Sequence, residues 1–331
     1  LVQLPMAAVD DHGFEILATP SAAAKGAAIP ADTAICQACL RELFDPANRR
    51  YLHPFIACCD CGPRFTMTRR LPYDRANTSM ADFALCPACQ AEYTDPGSRR
   101  FHAEPLACHD CGPRLSLDIQ ALTDALSAGG IVAIKGLGGY HLACNARDTV
   151  AVERLRAGKL RDGKPLAVMV LNPASAAQYV QLDPVGTELL LSPERPVVVL
   201  PATRGGELSP ALSPGLTTLG LMLPYTAVHY LIFHALLGGP AGERWLAEAN
   251  GLALVMTSAN ISGDPLVIER GEAESRLADI ADLMLHHDRA IAARADDSVV
   301  RAGCGGMIIR RARGYTPHAI RLAADGPRVL A

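Results

Sequence analysis

RYLHPFIACCDCGPR, from Arg50, and RFHAEPLACHDCGPR, from Arg100, are nearly the same fifteen residues written fifty positions apart. The register extends upstream, because Cys36 and Cys39 in CQACLRELFDPANRRY return as Cys86 and Cys89 in CPACQAEYTDPGSRRF. Each copy of this internal repeat reads C-x2-C-x18-C-x2-C. A two-residue gap lets both thiolates of a tight turn reach adjacent corners of a tetrahedron, and a second such turn closes a four-sulfur site with no open position. Cys36, Cys39, Cys58 and Cys61 make the first set; Cys86, Cys89, Cys108 and Cys111 make the second. Zinc fits these sets best, as two structural ions. A disulfide framework or buried free thiols would use the same residues, but disulfides are rare in a reducing cytosol. Cys59 stands where His109 stands in the second copy, so the register leaves it outside the ligands.

Each copy holds too few apolar residues for an independent core, so the metal, worth about 10–16 kcal/mol in small zinc peptides, sets its fold. Four-cysteine modules also occur in nucleic-acid binders. Here neither copy carries a basic helix, and acids such as Glu42, Asp45, Asp82 and Glu92 interrupt the arginines. The formal charge of −3 over 331 residues gives no general attraction to nucleic acid or anionic lipid. Arginine pairs such as Arg69-Arg70, Arg99-Arg100 and Arg310-Arg311 ordinarily lie on solvated faces. There is no run of eighteen apolar residues; VHYLIFHALL is broken by His229 and His234 and reads as a core helix. The start lacks a signal-peptide pattern, which points to the cytoplasm, and an opening Leu suggests a piece of a longer protein.

From about Leu122 cysteines nearly vanish and β-branched runs alternate with helical patterns. GIVAIKG, LAVMVL, PVVVLP, LALVMTS, DLMLHH, SVVRA and MIIRR read as strands. Helix candidates lie near 147–157, 173–180, 185–191, 226–237 and 270–279. The alternation indicates an α/β fold, a mixed sheet with helices over its faces. KGLGGYHLACNA, read as a loop after the first strand, is neither a P-loop nor a Rossmann turn, so a nucleotide site here is built differently. Lys159, Arg161 and Lys164 fall within six residues at the mouth of a strand, either as a polyphosphate cradle or as a solvated basic loop. Ser258 and Asn260 leave a buried strand in a turn where hydroxyl and amide suit ribose or phosphate, or serve the turn itself. Asp296, Asp297, Ser298, Arg301, Arg310, Arg311 and Arg313 would complete an anionic-ligand pocket if the sheet gathers them.

The doubled cysteine array, LPYDRANTSM between its halves, and KGLGGYHLACNA, KLRDGKP and TSAN behind it together resemble the HypF family, the carbamoyltransferases of [NiFe]-hydrogenase maturation. The resemblance runs from GFEIL to GYTPHAI. It implies a lead-in at 1–29, zinc-finger-like modules at 30–70 and 71–118, a YrdC-like domain with a twisted open sheet at 119–322, and a tail at 323–331 that leads toward a further domain. Acylphosphatase-like and C-terminal transferase domains of the family's full-length members lie outside this pattern. A K-x-R pair and an S-x-N turn line the acyl-adenylate cavity of the YrdC-like fold; they fall here on Lys159/Arg161 and Ser258/Asn260. The implied chemistry is attack of carbamate, derived from carbamoyl phosphate, on ATP with Mg²⁺, giving carbamoyl adenylate for later transfer to a cysteine of the partner HypE. Lys159 and Arg161 would neutralise developing charge, and Lys164, Ser298 and Arg311 would bind the nucleotide. Tyr140 and His141 either hold the carbamoyl end or are packed core groups. The family follows HLAC with Asp-Ala, whereas this chain has Asn145-Ala146. Two rival expectations are a threonylcarbamoyl-adenylate synthase of tRNA modification and an RNA-binding module.

Overall fold

The computed structural model describes residues 29–203, 207–261 and 263–320; the expected lead-in, but for Ile29, and the tail lie outside them. Each copy of the repeat forms one short helix that begins on its first ligand turn. Cys36 caps α1 (Gln37–Phe44) by accepting the Cys39 N–H on Sγ at 3.4 Å. Pro87 takes the first position of α2 (Pro87–Thr94), where no N–H is needed. Asp45 and Asp95 end the helices and accept the N–H two residues on, from Ala47 and Gly97, both at 2.9 Å. Leu52 and His102 then both take positive φ (56° and 47°), and their N–H groups return to the carbonyls of Leu43 and Tyr93. The fifty-residue register thus extends to single hydrogen bonds.

Helix α3 (Ile119–Ser127), capped by Asp118, leads into the α/β domain. Its strands are β1 (Val132–Lys135), β2 (Tyr140–Asn145), β3 (Ala167–Met169), β4 (Val197–Pro201), β5 (Thr218–Met222), β6 (Leu254–Ser258), β7 (Leu283–Leu285), β8 (Val299–Arg301) and β9 (Met307–Arg310). They form one sheet in the order β7-β1-β2-β6-β3-β5-β4-β8-β9. The β1–β7, β3–β5 and β4–β8 pairs are parallel and the others antiparallel, so the sheet is mixed. Between the strands lie α4 (Thr149–Gly158), α5 (Pro173–Ala176), α6 (Pro184–Leu191), α7 (Ala227–Leu236) and α8 (Arg270–Arg276), so all five helix candidates form.

Both faces of the sheet are covered. Val132, Ile134, Ala143 and Met256 join a core with α3, α7 and the first cysteine module, while Ala133, Leu142 and Val255 join a second core with α4. That double burial produces the near-continuous apolar runs of the strand sequences. All seven expected runs contain strands. The difference is β2 and β5, of which the first was expected as a loop. YHLACN is a strand with polar residues on buried faces: Tyr140 and Leu142 face the second core, His141 and Ala143 the first. The Gly136–Gly139 turn, closed by Gly136 N–H to Gly139 O at 2.8 Å, makes β1 and β2 a hairpin. Among the described residues no helix is long and apolar enough to cross a membrane.

Candidate active site and metal centres

In each cysteine set the four sulfur atoms lie within 4.8 Å of one another. Cys36–Cys58 and Cys58–Cys61 are 3.7 and 3.8 Å apart, and Cys86–Cys108 and Cys108–Cys111 are both 3.7 Å apart. A tetrahedron with Zn–S bonds of about 2.3 Å has edges of about 3.8 Å, so donors and spacing fit closed structural Zn²⁺ sites. Cys59 is exposed and outside the first set.

Zn²⁺ with four thiolates carries a net negative charge, and each module neutralises the site of the other. Arg49 donates to Cys89 Sγ at 2.9 Å; Arg50 donates to the same sulfur at 3.4 Å, to Ala107 O at 2.8 Å and to Glu92. In mirror image, Arg99 donates to Cys39 Sγ at 3.7 Å, and Arg100 to Ala57 O at 3.1 Å and to Glu42. Arg50 and Arg100 are 1% and 6% exposed, which corrects the expectation that such arginine pairs face solvent. Burial is repaid here because the guanidinium forks meet a carboxylate, a carbonyl and a thiolate at once. Cys59 and His109 complete the symmetry: Cys59 Sγ donates to Phe101 O at 2.8 Å, and His109 Nε2 lies 2.9 Å from Tyr51 O.

A cleft of about 300 Å³ opens over β6, β3, β5, β4, β8 and β9. Ala167, Val199, Gly220 and Met256 floor it, and Arg161, Ser258, Asp296, Asp297 and Arg310 rim it. A side chain at Gly220 would meet Val197 Cγ1 at 2.9 Å, so this glycine keeps the floor flat. Lys159 ends α4 and buries its ammonium against the turn after β6, donating to the carbonyls of Ser258 and Asn260 and, at 3.4 Å, to Asn260 Oδ1. Burial, then the charge of Arg161, pulls its pKa down to about 8. Ser258 Oγ donates to Asn260 Oδ1 at 2.8 Å, and Asn260 Nδ2 to Asp264 O at 3.0 Å, which fixes the turn. Arg161 is tied to the carbonyls of Lys164 and Pro165, while Arg156, which no motif singled out, clamps the loop by donating to Arg161 O, Asp162 O and Lys164 O.

The structure therefore puts Arg161 and Ser258 on the cleft with Asp296, Asp297 and Arg310, while Lys159 and Asn260, bonded to each other and to Ser258, stand behind the turn and do not line the cleft. His141 lies directly across from Ser258 in the β2–β6 pairing, and its Nε2 is 3.0 Å from Asp297 Oδ2. Burial alone would raise the pKa of Asp297; Arg313 and His141 instead hold it well below the usual carboxylate range. Tyr140 points to the other face, with its hydroxyl 2.8 Å from His286 Nδ1. Lys164 is exposed. Ser298 is buried between Arg313 O and the Ala312 N–H, and Arg311 donates to Tyr315 O at 2.8 Å; neither lines the cleft.

The Sua5/YciO/YrdC family model, described as telomere recombination, matches residues 124–312, and the HypF finger model matches 35–68 and 85–117. The chain belongs to the HypF family. It is 55% identical to carbamoyltransferase HypF2 of Cupriavidus necator over 98% of this chain and 42% of that protein. It is 45% identical to the probable carbamoyltransferase HypF of Methanocaldococcus jannaschii over 89% of this chain and 38% of that protein. A full-length HypF crystallised in a phosphate- and nucleotide-bound form matches with a TM-score of 0.80 and 46% identity, over 87% of this chain and 38% of that one. T. kodakarensis HypF matches with a TM-score of 0.81 and 43% identity, over 88% and 38%. The chain spans about two fifths of the length of these HypF relatives.

Proposed function

We propose that this chain performs the ATP-dependent carbamoyl-adenylation step of a carbamoyltransferase of [NiFe]-hydrogenase maturation. The observation that carries the reading is that Arg161 and Ser258 line one cleft of nucleotide size, with the buried Lys159 ammonium directly behind Ser258 on the carbonyls of the 258–260 turn. The relatives' names as carbamoyltransferases and the nucleotide-bound HypF structure support it. Adenosine would lie on the apolar floor, with its phosphates toward Arg161 and Arg310 and Mg²⁺ entering as part of the substrate. An oxygen of carbamate, derived from carbamoyl phosphate, attacks the α-phosphorus; the new O–P bond forms as the α–β anhydride bond breaks, and pyrophosphate leaves with the electron pair. No protein nucleophile is needed, so catalysis is positional and electrostatic, with Lys159 and Arg161 facing the charge that develops.

His141, beside Ser258, is proposed to hold the carbamoyl end. Tyr140 would brace it from the other face, Lys164 would guard the phosphate entrance, and Ser298 and Arg311 would fix the 296–313 arm. The modules at 30–70 and 71–118, each with one structural Zn²⁺, act as scaffold for the adenylation domain at 119–322. Thiolate sites of this kind suit the reducing cytoplasm. The remainder of a full-length enzyme would then pass the carbamoyl group to the cysteine of HypE.

The test is carbamate-dependent exchange of labelled pyrophosphate into ATP, with threonine plus bicarbonate as the rival acyl source. Exchange with carbamate is expected, slowed roughly 100- to 1000-fold in Lys159→Ala, the loss typical of one donor aimed at a developing oxyanion. ATP affinity should fall as pH rises through about 8, where Lys159 gives up its proton, and Lys159→Arg should postpone that fall. Exchange that depends on threonine would assign the chain to tRNA modification, and exchange with neither donor would overturn the adenylation step.

A further inference from the structure

The face of the sheet that carries the cleft also carries a second cavity, where the first cysteine module packs on the α/β domain. It measures about 40 Å³ and is walled by Phe55 and Ile56 of the module, the end of β1, the first turn of α7, and the segment after β7. Most of that wall is apolar, yet two cations line it: Lys135, 7% exposed, and Arg289, 5% exposed. Lys135 Nζ donates to His287 O and Arg289 O, both at 3.0 Å, which uses two of its three N–H groups. The Arg289 guanidinium lies over the Phe55 ring, 5.5 Å from its centroid, and among the described residues it has no hydrogen-bond acceptor.

Neither cation has a carboxylate within ion-pair distance among the described residues. Asp32 and Asp288 act on Arg289, and Glu269 and Asp288 on Lys135, only through longer-range attraction. Burial accordingly pulls Arg289 down to about 10 and lowers Lys135. Buried charges in proteins are ordinarily paired, because the desolvation penalty is otherwise uncompensated. The positive end of α7, ten residues long and capped by Thr226, adds to the field.

We infer that this cavity is a binding site for one small planar oxyanion of the carboxylate class, held between Lys135 and Arg289. The size follows from the space. A water needs about 10–15 Å³ of such volume, so the cavity takes roughly three water-sized groups, the extent of a formate or bicarbonate and less than a phosphate. The guanidinium fork offers paired N–H groups in the plane of a carboxylate, and the ammonium supplies a third donor. His141 relates this cavity to the cleft, with its ring 6.4 Å from that of His229 in the cavity wall and its Nε2 on Asp297 in the cleft rim.

The inference does not rest on the adenylation reading, since ATP reports on the cleft and formate on this cavity. The experiment is calorimetric titration of the whole chain with formate and with bicarbonate, in chloride at fixed ionic strength, with phosphate as competitor. One saturable site is expected, weakened more than tenfold in Arg289→Gln and in Ala227→Leu, with ATP affinity unchanged in both. Ala227→Leu keeps both cations and fills the space, so it decides the matter if Arg289→Gln fails to fold. Crystals of the unaltered chain grown in formate give a reading free of variants: density bridging Lys135 and Arg289 is expected. Absence of saturable binding, retention of it in the filled cavity, equal competition by phosphate, or empty density at Arg289 would each overturn the assignment.

Discussion

Leu43 of the first module and Tyr93 of the second occupy the same place in the fifty-residue register, and they meet different surroundings. Leu43 is fully buried and, with Leu40 and Phe44, enters the core that contains Phe233 and Trp245; the Phe44 and Trp245 rings meet edge to face at 4.9 Å. The corresponding residues of the second copy are Gln90, Tyr93 and Thr94, of which Gln90 and Thr94 are exposed. Beside Met80 and Ala107, which pack with Met67 of the first module, what the second module buries is Cys89, Ala103, Leu106 and Cys108, a core in which half the side chains are metal ligands. One copy is thus anchored by apolar packing as well as by metal, and the other by metal and by its clamp to the first. Identical ligand chemistry therefore has a different structural weight in each copy.

The largest consequence concerns the metal. Cys108→Ser should reduce zinc from two ions to one and abolish amide protection over about 85–117, because a zinc site worth about 10–16 kcal/mol is most of what folds that segment. Cys58→Ser should also lose one ion, yet keep protection in α1, which remains held by Leu40, Leu43 and Phe44. Zinc analysis combined with hydrogen exchange reads both, and equal collapse of the two modules would erase the distinction.

Next is the reciprocal clamp. Removing one member of a buried ion pair costs about 3–5 kcal/mol, and the lower end applies here because Glu42 and Glu92 remain 22% and 28% exposed. Arg50→Met should speed zinc release from the second set, fifty residues away, and Arg100→Met should speed release from the first set by less. Transfer to a chromogenic chelator, with alkylation to identify the freed thiols, distinguishes the sites. If each arginine affected only the zinc of its own module, the crossed arrangement would be wrong.

The eight ligands were legible in the sequence because two-residue gaps and a strict register leave little freedom in which sulfurs meet. The clamp was not, since a pair of arginines reads as solvated charge until the thiolates it neutralises are brought from another copy. In the α/β domain, the apolar runs and turn residues located seven strands and five helices, whereas β2 hid behind buried Tyr140 and His141. Lys159 and Ser258 are 99 positions apart, so no spacing rule joins them; resemblance to a family did. Lys135 opens KGLGGYHLACNA without having been singled out in it, Arg156 and Arg289 carried no motif, and only the burial and partners of the three reveal what they do. Ser298 and Arg311 looked like ligands for a nucleotide because sequence shows a side chain's chemistry and not which way it turns.

A smaller effect tests the anchoring itself. Leu43→Ala should cost about 2–5 kcal/mol as a fully buried truncation, and Tyr93→Phe only about 0.5–1.5 kcal/mol, the worth of its hydroxyl bond to Glu104. Denaturant unfolding with both zinc ions retained makes the comparison. Similar losses at the two positions would mean that the second module is as firmly packed as the first.

The smallest expected effect falls on the one cysteine that breaks the repeat. Cys59 and His109 share a register position and make the same kind of contact, each reaching a backbone carbonyl of the opposite module at 2.8 and 2.9 Å. A hydroxyl can replace the thiol as donor, so Cys59→Ser should keep both zinc ions and alter stability by less than about 1 kcal/mol, the net value of one hydrogen bond. His109→Ala should cost somewhat more, because it also removes an edge contact with the His53 ring at 4.8 Å. His53 is buried and its pKa is pushed down to about 3 by burial and then by the charges of His109 and the nearby arginines, so it stays neutral near pH 7 and the contact is one of packing. Elemental analysis of Cys59→Ser decides the ligand set: a drop to one zinc would place Cys59 in the first site and end the equivalence of the two copies.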